Sequence, residues 1–347
     1  MIRFRRIQKS SFFIKLKSWE YWPFGILQAP LFPYWLWLSI KSKSLFFFTA
    51  SNPGIVMGGM FGESKFEVLK NVPNDVKPKT IIAQTPATLG SIKQLLNQHQ
   101  LSYPLVFKPD LGERGWMVKI IKNDADADSY VKTIKHDFLI QEFVDFPLEF
   151  GVFYVRYPSE SSGRVVSIVG KEMLHVIGDG NQTLTQLIEG NERALLQWPI
   201  LRETYKNQLD SVVKKGDRVE LVSIGNHCLG TKFLNFNHLI TPRLSASFDR
   251  ISKQIQGFYF GRFDLRTSSL EALENGDVKI VELNGCGAEP AHIYDPTFSF
   301  VEAINVLFTH WNTIYRISLE NYERGIPYIS FREGKAHYKK FKALTSP

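Results

Sequence analysis

Apolar and polar residues change period often along this chain. Leu105-Val106-Phe107-Lys108 is an apolar run closed by Pro109, the form of a short buried strand. A glycine-containing turn follows, and then a return strand over residues 116–121. Residues 79–84 and 138–144 read as strands of the same kind. Residues 149–156 and 164–171 pair as a hairpin, and 261–266 and 277–284 are two further strands. Helical spacing covers 64–71, 91–100, 126–135, 184–191, 195–209, 247–256 and the long apolar stretch 298–315. Ser64 with Glu67 three residues later has the form of a capping box. Several neighbouring strands read as antiparallel, so the expected fold class is α+β.

The register of the last two strands needs care. Asn275-Gly276 suggests a two-residue hairpin, which would set Asp264 opposite Gly287. For Asp264 to face Glu282, the connection must span about 269–277, with Asn275-Gly276 a turn inside it. The longer connection is predicted.

At 347 residues there is room for two or three packed subdomains. A hydrophobic share of 44% excludes disorder as the default. The net charge of +8 is uneven. Residues 1–50 carry eight Lys and Arg against Glu20 alone, and the chain from Asn321 onward carries six against two, so the middle is slightly acidic. Basic ends suggest an anionic surface nearby; basic charge alone is a weak indicator of nucleic acid, which is set aside. From Tyr21 to Ile40 there is no formal charge, and Trp, Tyr, Phe and Leu abound. The stretch is long enough to span a bilayer, but Pro23, Pro30 and Pro33 interrupt it. Three readings stay open: interfacial membrane contact through residues 1–48, a buried core or dimer element, and a spanning helix. The only cysteines, Cys228 and Cys286, form neither a disulfide framework nor a zinc spacing. The expected setting is cytoplasmic, with membrane association on that face and homo-oligomers both open.

Three clusters carry candidate chemistry. Lys108, Gly112 and Gly115 follow a strand; the glycines allow a tight turn whose N–H groups can face phosphate, with Lys108 as a point charge, although a plain hairpin has the same pattern. Glu142-Phe143-Val144 ends a buried strand, where a backbone hinge can meet an adenine edge, and Glu149 downstream can accept from ribose hydroxyls. Asp264 lies in one strand, and Glu282 and Asn284, two apart and so on one face, lie in another. Hard oxygen donors among apolar neighbours suit magnesium. His175, His227 and His238 read more plainly as structural histidines, and both cysteines as buried small hydrophobes.

In order, character and approximate separation these motifs resemble the ATP-grasp superfamily over about residues 65–295, as in the ATP-grasp module of cyanophycin synthetase and the D-alanine–D-alanine ligases. The resemblance implies two α+β subdomains gripping ATP. It implies Lys65 and Lys171 near the phosphates, and Asn226 in a glycine-flanked turn near the substrates. Asp264, Glu282 and Asn284 become the ligands of Mg²⁺, with Mn²⁺ as the alternative, and Arg262 steadies the reacting acyl group. The stretch from Lys171 to Gly180, with His175-Val176-Ile177-Gly178-Asp179-Gly180, is similar to the cyanophycin-synthetase run. The chain then divides into a basic, aromatic segment (1–50), a shortened pre-ATP-grasp region (51–100), a small subdomain (101–147), a large subdomain with the metal site (148–320) and a basic tail (321–347). Trp116-Met117 departs from the family's small or basic pair. The implied activity is an ATP-dependent ligase joining a small-molecule carboxylate to an amine through an acyl phosphate. Phosphoryl transfer alone, or a non-catalytic nucleotide-binding membrane adaptor, are the alternatives.

Overall fold

The computed structural model describes residues 11–112, 115–222, 225 and 230–345. The aromatic N-terminal segment folds into three short helices, α1 (Ser11–Lys17), α2 (Phe24–Gln28) and α3 (Leu31–Ser42). Pro23 and Pro30 stand at the N-caps of α2 and α3, where a missing N–H breaks no helical bond. The uncharged stretch is thereby split, and no described helix is long and apolar enough to cross a membrane. Leu31 and Leu38 of α3 are buried, and Tyr34 meets Phe308 edge-on at 5.0 Å.

Helix α4 (Lys65–Lys70) follows. Half of the expected capping box forms: Ser64 Oγ accepts from Glu67 N, while the Glu67 carboxylate pairs with Lys70 at 3.7 Å. Strand β1 (Thr80–Ala83), helix α5 (Leu89–Gln98), strands β2 (Leu105–Pro109) and β3 (Lys119–Ile121), helix α6 (Asp124–Thr133) and strand β4 (Phe138–Glu142) build the small subdomain. Its sheet runs β1-β4-β2-β3, antiparallel throughout. The return strand is shorter than its expected span of 116–121, because Met117 takes a positive φ of 52° and residues 115–117 stay in a turn. One sheet face packs Phe107, Phe138 and Ile140 against Ile92 and Tyr130. The other face, with Val106, Lys108 and Gln141, turns toward the large sheet.

The large subdomain begins with the hairpin β5 (Leu148–Val155) and β6 (Arg164–Glu172). A side lobe follows: β7 (His175–Ile177), α7 (Leu184–Gly190), α8 (Glu192–Leu196), α9 (Trp198–Thr204) and β8 (Arg218–Glu220). One helix was expected over 195–209. Pro199 instead starts a new helix after Gln197, because proline has no N–H for a continuing ladder. The chain returns through β9 (Lys232–Asn235), α10 (Pro242–Lys253), β10 (Phe260–Thr267), α11 (Leu270–Asn275) and β11 (Val278–Asn284), and ends with α12 (Phe300–Glu323) and α13 (Phe331–Thr345). Helix α10 starts five residues before the expected 247, with Thr241 as N-cap and Pro242 in its first turn. The sheet order is β11-β10-β5-β6-β9, again antiparallel. Its core face packs Val152, Phe263, Leu265 and Ile280 against Leu244, Phe248 and Ile251 of α10. Burying each such side chain contributes about 1.5–3 kcal/mol. The α+β class holds.

Candidate active site

The site is assembled by the period-two alternation of β10 and β11. Arg262, Asp264 and Arg266 share the face of β10 opposite the core residues Phe263 and Leu265. Asp264 pairs with Glu282, and Arg262 with Asn284. The connection is the longer one, with α11 inside it and Gly276 as its left-handed C-cap (φ 82°). A bulge sets the phase: Leu265 pairs with Ile280, and Val281 is the extra residue. Unbroken alternation from Ile280 would have turned Glu282 into the core; the bulge gives that place to Leu283. The Val281 carbonyl is then taken by the other subdomain, accepting from Lys108 Nζ at 2.8 Å and Gln141 Nε2 at 3.3 Å.

Opposite Asp264 on β5 stands Gly151. A Cβ there would lie 2.7 Å from Val169 Cγ1 and 3.1 Å from Arg262 Cδ, so the missing side chain makes room for the Arg262 arm. Arg262 donates to Asp264 Oδ2 from Nε (3.2 Å) and Nη2 (2.9 Å), and from Nη1 to the Glu289 carbonyl (3.0 Å). Asn284 Nδ2 donates to the same Oδ2 at 2.9 Å. Lys171 Nζ lies 3.1 Å from Asp264 Oδ1 and 2.9 Å from Glu149 Oε1. Arg266 reaches Glu149 Oε2 at 3.4 Å and donates to the Val144 carbonyl at 2.7 Å. The result is a chain of alternating charge, Arg266, Glu149, Lys171, Asp264 and Arg262, with Asp264 buried and the others half-buried. Burying so many ions is costly unless each is paired.

The charge states follow. Burial alone would raise the Asp264 carboxyl, but Arg262 and Lys171 override it and hold it down at about 2. Burial would likewise lower Lys171, and Asp264 and Glu149 instead hold its ammonium above the ordinary value. Lys108 has weaker compensation. Burial pushes it down to about 8, with Glu282 opposing and Lys65 reinforcing the drop. Its Nζ is held by Gln141 Oε1 at 3.1 Å as well as by Val281.

These groups line a cavity of about 780 Å³ between the two sheets, within the range of small-molecule sites. Every expected site residue inside the described residues borders it: Lys65, Lys108, Gly112, Gly115, Glu142, Phe143, Val144, Glu149, Lys171, Arg262, Asp264, Glu282 and Asn284. Asn226 lies outside the described residues, as do His227 and Cys228; the adjacent Gly225 lines the cavity, so close that a Cβ there would sit 2.4 Å from Glu149 Oε1. Lys65 Nζ donates to the Gly112 carbonyl and so ties α4 to the glycine turn. Both oxygens of Glu149, given to ribose by the motif match, carry cation partners in this state. Beyond Lys171, the run to Gly180 leaves the cavity. There His175 Nδ1 bonds the Met173 carbonyl, and His238 packs on Phe236. Cys286 is buried, and burial pushes its thiol well up.

Sequence reasoning missed several contributors, among them Arg266, Gln141, Trp22 and Leu27. Arg266 continues the alternation of Arg262 and Asp264, and Gln141 is the polar residue in an apolar strand, so both left a signal. Trp22 and Leu27 also wall the cavity, and nothing local announces a contact with strands more than a hundred residues away.

No protein-family model matches the chain, and no curated protein matches it. Among solved structures it is similar to a bifunctional glutathione synthetase from Pasteurella multocida, at 15% identity and TM-score 0.38 over 71% of this chain and 36% of that one. It is similar to a D-alanine–D-alanine ligase from Bacillus anthracis, at 13% and 0.43 over 78% and 70%. It is also similar to the ATP-grasp ligase PsnB complexed with minimal precursor, at 11% and 0.34 over 68% and 56%. The chain thus spans about a third of the first and just over half of the last. At these identities the likeness is one of fold only.

Proposed function

We propose that this chain is an ATP-dependent, Mg²⁺-requiring ligase of ATP-grasp type that joins a small-molecule carboxylate to an amine in the cytoplasm. The supporting observation is the convergence of Lys108 with Asp264, Glu282 and Asn284 on one nucleotide-sized cavity. The donors fit Mg²⁺, and Mn²⁺ equally: two carboxylates and an amide supply hard oxygens, and substrate phosphates complete such sites. Asp264 Oδ1 faces Lys171 Nζ at 3.1 Å and, among the described residues, has no aligned hydrogen bond besides that ion pair. Asn284 turns its nitrogen to Asp264, and a half-turn of the amide brings its oxygen round. Among the described residues no three His, Cys, Asp or Glu form a ready-made cage. When bound, the ion would neutralise charge on the β- and γ-phosphates.

The chain's own residues do the positioning. Residues 142–144 offer a hinge to adenine, with the Val144 carbonyl steadied by Arg266. Lys108 supplies a phosphate-holding charge, and Lys65 fixes the Gly112 turn over the phosphates. Glu149 holds Lys171 beside the phosphate path. A substrate carboxylate oxygen bonds to the γ-phosphorus, and the bridging P–O bond breaks with its electron pair going to ADP. The amine nitrogen attacks the acyl carbon, phosphate leaves with the C–O electron pair, and the nitrogen loses a proton to solvent. Arg262 stabilises charge on the acyl oxygen.

The test is ADP release with pooled carboxylates and amines. Turnover is expected to need both, and Glu282→Ala is expected to lower it by on the order of a hundredfold with the far-UV circular dichroism unchanged. Turnover without an amine would favour phosphoryl transfer alone. Near-normal turnover in the Glu282→Ala variant would reject the site.

A further inference from the structure

The outer side of α3 is apolar where solvent should favour polar residues. Phe32, Leu36 and Ile40, at i, i+4 and i+8, are 62%, 40% and 68% exposed, and Trp37 beside them is 49% exposed. Single exposed apolar residues need no explanation, but a continuous stripe along one face of a short helix marks a contact surface. Ile26 of α2 is likewise exposed. The inner side of the same segment is committed elsewhere: Leu31 and Leu38 are buried, and Leu27 faces the cavity.

Charge selects the partner. No acidic residue occurs between Glu20 and Glu63, while Lys41 and Lys43 close the C-terminal end of α3. Lys41 Nζ lies 4.6 Å from the Trp37 ring centre. Aromatic and aliphatic side chains rimmed by lysine suit an interface with acyl chains below and anionic headgroups above. A second copy of the chain would offer these lysines no carboxylate from this segment.

We propose that the outer face of α2 and α3 docks on an anionic lipid surface as a peripheral contact. This rests on the surface alone and stands whether or not the cavity is a ligase site. The test is co-sedimentation of the full chain with phosphatidylglycerol–phosphatidylcholine vesicles and with phosphatidylcholine alone. Partition onto the anionic vesicles is expected. It should fall by on the order of tenfold or more when Phe32, Trp37 and Ile40 are changed together to Ser. Lys41→Gln and Lys43→Gln should each weaken it roughly fivefold. The lysine variants leave the apolar face in place, and Lys43→Gln touches no ring among the described residues, so they decide the matter if the apolar variant does not fold. Wild-type protein left in the supernatant, equal binding to both vesicle types, or a dimer that the serine changes dissociate without any vesicle binding would each overturn the proposal.

Discussion

Lys108 allows a pH prediction with its sign worked out. Burial pushes its ammonium from 10.5 down to about 8, so the folded chain gives up this proton before the unfolded chain does. Stability therefore rises with pH between the two values. Below the folded value the full cost of keeping the charge buried is present, about 3 kcal/mol at 1.36 kcal/mol per unit. Between about pH 7 and about pH 9.5 roughly 2 kcal/mol of it is recovered. Lys108→Met removes the titrating group and serves as reference, since the remaining titratable residues are common to both proteins. Urea unfolding of both at the two pH values is the assay. The wild type should gain on the variant by that amount at the higher pH. A gap that does not move with pH would refute the argument. Activity gives a second readout: kcat/KM for ATP should be flat below about pH 8 and fall about tenfold per unit above it, because a neutral amine does not hold phosphate.

Other outcomes follow from the same geometry. Arg266→Met frees the Val144 carbonyl and one oxygen of Glu149, so KM for ATP should rise by on the order of tenfold with kcat little changed; an unchanged KM in initial-rate measurements would remove Arg266 from the nucleotide end. Gly151→Val drives methyl groups into Val169 and the Arg262 arm and should cost about 1–3 kcal/mol of stability, read by urea unfolding, with turnover at least tenfold lower. Tyr130 buries a hydroxyl that has no hydrogen-bond partner among the described residues. Tyr130→Phe should therefore be neutral or about 1 kcal/mol stabilising, and a clear loss in urea unfolding would reveal a partner for that hydroxyl.

Much of the edge carrying Asp264, Glu282 and Asn284 was legible because it is built from two strands close in sequence. Carboxylates among apolar neighbours mark the face, whereas the bulge was not read: the spacing of Val278, Ile280 and Leu283 shows it only once the register is known. The small sheet was legible for the same reason, since apolar runs such as Leu105–Pro109 declare buried strands. The break at Pro199 was present in the residues but read through as a continuous helix. The wall formed by Trp22 and Leu27 was not legible at all. Contacts between segments so far apart leave no periodicity, and an aromatic-rich stretch has the same composition against protein as against lipid. The charge chain from Arg266 to Arg262 was half visible: Glu149, Lys171, Asp264 and Arg262 were named singly and Arg266 was not, and their pairing depends on strand register, which one sequence does not display.

The bulge at Val281 separates two tasks that a regular ladder would force onto one residue. Removing Val281 would close the ladder with Leu265 still opposite Ile280 and Asp264 still opposite Glu282, so the carboxylate pair would survive. What would disappear is one clasp between the two sheets, because the protruding carbonyl accepts from Lys108 and Gln141 across the cleft. A one-residue deletion there would thus leave the carboxylate pair standing and loosen its hold on the opposite sheet.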